Sequence, residues 1–534
     1  MTTGKQSDLR SPLPAGVLSG GEFTSAADVW DRSARAATAL ASLGVAAGDA
    51  VALLMRNDRP FVEASFAAAM LGASPVPVNW HGTAAEVDYI VSDSGAKVLV
   101  AHHDLLEALG PRGESVAVVG VATPDAIRRR YGLGEATHTR AAVEWSRWIE
   151  TFAPWEGERP AVPFAMLYTS GTTGRPKGVR RFAFDERQAE ATRLLIDERN
   201  AIMGFAPGMR SVITGPMYHT APNAYALGAV REGGFVALQA RFDAEELLVL
   251  IERHRITHLS LVPTMFVRLL KLDASIRDRH DVSSLVHVVH GAAPCPPDVK
   301  RRMIEWWGPI IHEYYGGTES GLVAGCSSPE WLTHPGTVGK VLQSAVVRIY
   351  DDDGREAQPG EIGDVFMRSR GMPDFTYQGS PRERAECERD GLITCGDVGY
   401  LDEDGFLYLC DRRRDMVISG GVNIYPVEIE ACILAMPQVR DCAVFGVPDS
   451  EYGEALAAAI ELEAGEVATA ADVQSAVREH LAGYKVPRIV TFHDELPRED
   501  SGKIFKRKLR EPYWEGRSRP NDCADEDVVN CTMA

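Results

Sequence analysis

The sequence predicts a layered α/β protein: a large multi-part N-terminal domain of sheets and helices, followed by a small α+β domain. Three observations predict it. Helical and strand-like apolar patterns alternate from Ala26 onward. Strand-like runs in the middle of the chain feed, in several cases directly, into loops rich in Gly, Thr and Pro. From Val346 the pattern changes to hairpins, and a fresh βαβ-like unit starts after a polar cluster at Asp411–Asp415. With 534 residues the chain is too long for one simple core.

Residues Ala26–Leu43 recur apolar at helical spacing and stop at Gly44. The run AVALLM at Ala50–Met55 reads as a strand, a second helix runs toward Gly72, and SPVPVNW reads as extended. Further strands are expected at Ala161–Thr169, Phe235–Gln239, His258–Val262, Val286–His290 and Ile310–Tyr314. Ligands in such folds bind beyond the C-terminal ends of the strands, so the loops that follow are where chemistry is expected. The stretch from Val346 reads as a hairpin about an Asp-Gly turn. The expected divisions are an N-terminal domain over 1–411, a linker over 412–415, a C-terminal domain over 416–513 and a polar, acidic, aperiodic tail over 514–534. No internal repeat is visible, and the span Ala101–Ala161 carries no readable pattern.

Composition excludes several classes. The formal net charge is -19, from Asp+Glu 75 against Lys+Arg 56, which opposes a nucleic acid or an anionic membrane as main partner. No signal peptide and no apolar run of about 18 residues is present. The nine cysteines form no C-x-x-C pair, so reduced thiols in a cytoplasmic protein are expected. Cys395 and Cys410 lie near the motifs below but read as small packing residues.

Four blocks carry chemistry. In YTSGTTGRPKGV, Tyr168–Val179, a strand runs into Thr169, Ser170, Gly171, Thr172, Thr173 and Gly174, with Lys177 six residues after Gly171. Small residues let backbone N–H groups face a phosphate, hydroxyls add donors and the lysine adds charge. The spacing is not that of a Walker loop, and a Gly/Thr turn can also be purely structural. In YYGGTES, Tyr314 and Tyr315 precede Gly316 and Gly317, a combination suited to a nucleobase. Glu319 could hold magnesium, although an exposed glutamate is commonly just solvated. In TCGD, Asp397 could accept two ribose hydroxyls, with Arg412 on ribose or phosphate; the alternatives are an aspartate bonding its own turn and an arginine in a solvated linker. Near the end, LPREDSGKIFKRKLR places Lys503 in a loop able to reach a cleft, whereas Lys506, Arg507, Lys508 and Arg510 read as a solvated face.

In this order and at these separations the four blocks resemble the adenylate-forming superfamily of acyl-CoA synthetases, nonribosomal adenylation domains and luciferases. The resemblance covers Thr24 to Arg510. It implies that Thr169–Gly174 and Lys177 surround the β- and γ-phosphates of ATP, and that Gly291, Ala292, Ala293 and Pro294 line the adenine. Tyr315 would stack on it, Thr318 would bind the α-phosphate, Glu319 the Mg2+, and Asp397 with Arg412 the ribose. Arg414 would be the hinge of a mobile C-terminal domain, Lys503 the catalytic lysine, and Gly420 and Gly421 the wall of the coenzyme A tunnel. Three departures stand out: Asp411 replaces the family's usual Gly before the ribose arginine, T-C-G-D replaces R-T-G-D, and RRFAF replaces the frequent T-H.

The acid pocket is expected along Gly215–Leu227, with Met217, Tyr218, Ala221, Asn223, Ala224 and Leu227, and with His219 either a gate near the carboxylate or merely hydrogen-bonded in place. No aspartate lies between Thr214 and Gly228, which weighs against amino acids. The resemblance therefore implies an ATP-, Mg2+- and coenzyme A-dependent ligase for a hydrophobic acid, either a bulky polycyclic terpenoid- or steroid-like one or a medium-to-long fatty one. A ligase loading a separate carrier protein, a luciferase-like oxygenase and a non-catalytic nucleotide-binding relative are the alternatives, and a homodimer is left open.

Overall fold

In the computed structural model the described residues are 13–110, 116–134, 143–158, 160, 163–169, 176–420, 422–498 and 504–515. They form two compact units. The first takes in the described residues of Met1–Pro335, Leu342–Val346 and Arg368–Ile393; the second takes in those of Gly336–Val341, Val347–Met367 and Thr394–Ala534. The linker expected at 412–415 lies inside the second unit.

The first unit opens as the periodicity predicts. The helix Ala26–Ser42 starts where the Ser25 hydroxyl accepts the Asp28 amide (3.2 Å) and buries Val29, Ser33, Ala36, Ala37 and Leu40, the face recurring every three to four residues. It packs on the helix Arg59–Met70, which is buried on nearly every side. The Ala50–Leu54 strand lies between the parallel strands Ser74–Pro77 and Ala96–His102. Ala117–Val121 and Val143–Glu144 extend this sheet, so the span without a readable pattern holds ordered structure.

A second sheet carries the parallel strands Phe235–Leu238, Arg210–Ile213, His258–Leu261, His287–His290 and Ile311–Gly317, neighbours in that order. Such strands are buried on both faces and read as short continuous apolar runs. A third, small sheet joins Leu167–Thr169, Lys177–Arg181 and Phe375–Tyr377, all antiparallel. The first of these strands begins six residues later than expected.

In the second unit, Phe406–Arg412 pairs antiparallel with Leu392–Leu401. The long hairpin Val439–Asp449 and Gly453–Leu462 takes Ile489–His493 as a parallel neighbour. The helices Pro426–Leu434 and Ala470–His480 share a core with it through Ile429, Ile433, Val473 and Val477. Val417–Ser419 also pairs antiparallel with Gly453–Leu462, so the strands Val417–Ser419 and Val439–Asp449, before and after the Pro426–Leu434 helix, run parallel in one sheet with a hairpin strand between them, in keeping with the βαβ-like pattern.

Candidate active site

The strand Ile311–Gly317 reverses through Thr318–Ser320 into the antiparallel strand Gly321–Cys326, with a register shift at Tyr315/Gly316. The approach there is too close for a side chain: a Cβ on Gly316 would lie 2.1 Å from the Gly321 carbonyl oxygen. The Gly317 amide donates to the Ser320 hydroxyl (2.8 Å) and closes the turn. Thr318 and Glu319 are thereby presented at the C-terminal end of a parallel strand.

Several distant segments converge on that turn. Arg181 donates to the carbonyl oxygens of Thr318 (2.6 Å) and Glu319 (2.8 Å), and to that of Pro373 (2.7 Å). Burial lowers its pKa to about 10, against the pull of Glu319 and Asp374. The Glu319 carboxylate accepts from the hydroxyls of Thr169 and Tyr377, each at 3.2 Å. The Thr318 and Thr220 hydroxyls are 2.6 Å apart. Thr220 opens the helix Thr220–Arg231, so Thr318 lies at its partly positive N-terminal end.

Thr169 and Lys177 face each other across an antiparallel pair. Ser170, Gly171, Thr172, Thr173 and Gly174 lie outside the described residues. Lys177 is held by Glu383 (2.9 Å) and sits 5.4 Å from the centre of the Tyr377 ring. Tyr168 donates to Asp93 (2.7 Å), and Gly178 leaves room for its ring.

The expected adenine segment begins where the strand His287–His290 ends. A Cβ on Gly291 would meet the Tyr314 ring at 2.6 Å, and Ala292 adopts φ 65°, a left-handed conformation costly for any residue but glycine. Successive residues of a strand face opposite sides, so the paired tyrosines separate: Tyr314 packs on the core with its hydroxyl pushed up to about 12 by burial, and Tyr315 faces the other way. On the neighbouring strand Glu313 is ion-paired with Lys300 (2.5 Å), and His290, the residue before Gly291, lies 3.4 Å from the same carboxylate.

Within the second unit, Asp397 and Arg412 are directly opposed in register and ion-paired at 3.3 Å. The Gly396 amide donates to Thr394 (3.0 Å), and the Arg413 amide donates to the Gly396 carbonyl (2.8 Å). Lys503 and Gly421 lie outside the described residues.

The expected acid segment is sorted by helical geometry. Met217 and Leu227 are buried in the main core. Asn223 is buried and donates to the Met217 carbonyl (2.9 Å), while Asn57 accepts the Met217 amide (2.8 Å) and donates to Gly215 (2.9 Å). Ala221 and Ala224 lie on another face, Ala224 exposed. Tyr218 lies beside His219 with the rings tilted, 4.4 Å between ring centres, and edge-on to Trp80 at 6.3 Å. Arg181, Thr220, Tyr377 and Glu383 escape the sequence reading. Arg181 had a faint signal, an arginine at the end of the strand leaving the Gly/Thr loop; Tyr377 had none, since it is joined to Glu319 only by folding.

A profile of the AMP-binding enzyme family matches residues 10–373, and one of the AMP-binding enzyme C-terminal domain matches residues 428–503. The chain belongs to the AMP-binding enzyme family. It is a member of the adenylate-forming superfamily and has that fold, with acyl-CoA and acyl-carrier-protein ligases among its relatives. This AMP-binding enzyme is 32% identical over 521 residues to fatty acid–[acyl-carrier-protein] ligase ScoC of Streptomyces coeruleorubidus, covering 95% of each chain. It is 31% identical to the 2-succinylbenzoate–CoA ligase of Geobacillus kaustophilus, over 95% of this chain and 96% of that one. Among solved structures it is similar to amide bond synthetase McbA from Marinactinospora thermotolerans, with TM-score 0.76 and 28% identity over 94% of this chain and 97% of that one. The o-succinylbenzoate CoA synthetase of Bacillus subtilis, in complex with its acyl-adenylate intermediate, matches with TM-score 0.76 and 26% identity, over 93% and 95%.

Proposed function

We propose that this chain joins ATP to a hydrophobic carboxylic acid, releasing pyrophosphate, and passes the acyl group from acyl-AMP to the thiol of coenzyme A, releasing AMP. The observation that carries this reading is the Thr318–Glu319 turn, pinned by Arg181, with the Thr169 and Thr220 hydroxyls gathered on it. Three hydroxyls, a carboxylate and a helix N-terminus at one strand end suit a phosphate and its counter-ion.

Oxygen donors are what magnesium prefers, and Glu319 beside Thr169 fits it. Bound there, the ion would neutralise charge on the phosphates. The chain's own residues do the rest. A carboxylate about 4 Å from an α-phosphate is repelled by roughly 4 kcal/mol at an effective dielectric near 20, about three powers of ten in rate. Lys503 would offset that repulsion by lying between the two groups, Thr318 would orient the α-phosphate, and Lys177 would exchange Glu383 for the outer phosphates. Asp397 would take the ribose hydroxyls. For the second step a turn at Arg414 would withdraw Lys503 and bring Gly420 and Gly421 to the thiol.

The acid is a bulky polycyclic or a medium-to-long-chain one, supported by the aromatic Tyr218 and the small Ala221 and Ala224 outside the core cluster of Met217 and Leu227, and by the absence of an aspartate between Thr214 and Gly228. A carrier-protein thiol as acceptor is the second reading, favoured by the similarity to an acyl-carrier-protein ligase. ATP–pyrophosphate exchange over a panel of acids, followed by thioester mass with coenzyme A, tests the proposal. Exchange without coenzyme A thioester would favour the carrier protein, and no exchange with any acid would sink it.

A further inference from the structure

The basic residues after Lys503 read in sequence as a solvated face, yet two of them are largely buried. Lys506 and Arg510, four apart on the helix Lys506–Arg510, share one side of it. The Lys506 ammonium pairs with Glu430 (2.8 Å), and Glu430 also accepts the Val444 amide (2.7 Å). Burial alone would lower the Lys506 pKa, but the paired Glu430 and the charges of Asp411 and Asp415 raise it. Arg510 donates to the Arg414 carbonyl (3.4 Å) and lies 3.8 Å from the Asp415 carboxylate.

The other end of the same segment is tied as well. Asp411 accepts the Val427 amide at the start of the Pro426–Leu434 helix (3.3 Å). Burial pushes its carboxyl up to about 6, with Lys506 opposing the shift. The helix carrying the two cations is itself anchored to the small sheet, because Leu509 packs on the Phe445–Val447 cluster and the Trp514 indole donates to the Gly446 carbonyl (3.0 Å). Residues 411–415 are therefore tied at one end by Arg510 and at the other through the helix Pro426–Leu434, whose Glu430 pairs with Lys506.

We propose that Lys506 and Arg510 are positioning residues: by clamping residues 411–415 they fix the hinge in one of its two states and so set the balance between acyl-AMP formation and thioester formation. This rests on the hinge reading under Proposed function. A swing about Arg414 changes backbone angles between Asp411 and Asp415, and both contacts of Arg510 lie within that stretch.

The test uses the full chain with Arg510→Ala, Arg510→Lys and Lys506→Met. Hydrogen exchange is followed at the Asp415 and Met416 amides, which both donate to the Arg412 carbonyl. The two half-reactions are measured separately, the second from supplied acyl-AMP. The clamp predicts exchange at those amides at least about tenfold faster in Arg510→Ala and Lys506→Met, with Arg510→Lys between them and the wild type. Amides of the Val439–Asp449 strand should keep wild-type rates. The ratio of the two half-reaction rates should move by about tenfold, one rising relative to the other. Wild-type exchange at Asp415 and Met416, or an equal fall in both half-reactions, would overturn the clamp. If the wild type carried out neither half-reaction, the proposed function would fail, and the exchange rates would still decide the clamp.

Discussion

Arg181 holds the main chain of Glu319 rather than its carboxylate: the guanidinium donates to the carbonyls of Thr318 and Glu319 from one nitrogen and to Pro373 from another. The side chains of Thr318 and Glu319 stay turned toward the hydroxyls of Thr220, Thr169 and Tyr377. The arginine thus fixes where the reacting groups stand without competing for them.

Arg181→Ala is expected to lower the rate of acyl-AMP formation by roughly 100-fold, the scale of a misplacement of about 1 Å. Arg181→Lys should recover only part, since an ammonium cannot span three carbonyls as a planar guanidinium does. Pyrophosphate exchange at saturating ATP and acid checks this; an Arg181→Ala enzyme at wild-type rate would remove Arg181 from the site.

Lys503→Ala should abolish acyl-AMP formation and leave thioester formation from supplied acyl-AMP mostly intact, and Gly421→Leu should do the reverse. Single-turnover assays of each half-reaction separate the two effects. Equal loss of both steps in each variant would exclude alternation about Arg414.

The Lys300–Glu313 pair is buried, with the ammonium also 4.8 Å from the Trp331 ring. Glu313→Gln leaves a buried ammonium without its counter-charge and should cost about 3–5 kcal/mol, whereas Lys300→Met with Glu313→Leu should lie close to the wild type. Urea unfolding midpoints read both. A double variant as unstable as the single one would show that the pair contributes more than mutual neutralisation.

Three histidines stack on one face of the second sheet: His287 lies 5.9 Å from His258 and 4.0 Å from His312, and its ring meets the Ile202 carbonyl at 2.8 Å. Burial first, and then the neighbouring His287, lower His258 and His312 to about 4. Folded-state pKa values below the unfolded value of about 6.5 mean that the unfolded chain binds these protons more readily. Their contribution to stability is whole above about pH 6.5 and is lost as pH falls from there toward about 4. His312→Phe, which keeps a ring in the stack, should flatten that decline. Unfolding midpoints at pH 7.5 and 5.0 test it, and an unchanged slope would assign the acid sensitivity elsewhere.

Much of the fold is legible in the chain itself. Period-3.6 and short continuous apolar runs mark the helix Ala26–Ser42 and the strands at 50–54, 235–238, 258–261 and 287–290 to within a few residues, because local burial writes its own period into the sequence. The span after Ala101 is not legible, because its helices and strands run only five to seven residues, too short to establish a period.

By itself the sequence determined the α/β class and the strand-end positions of Thr169, Thr318 and Glu319, because glycine-rich turns and their hydroxyls are local features. Only the tertiary structure decided that Arg181, Thr220 and Tyr377 stand around Glu319. It also decided that Tyr314 packs inward beneath Gly291, that Asn223 spends its amide on the Met217 backbone, and that Lys506 and Arg510 are gripped rather than solvated. Each of these joins residues on different elements, and no spacing along a chain records which side chains meet once sheets and helices have packed.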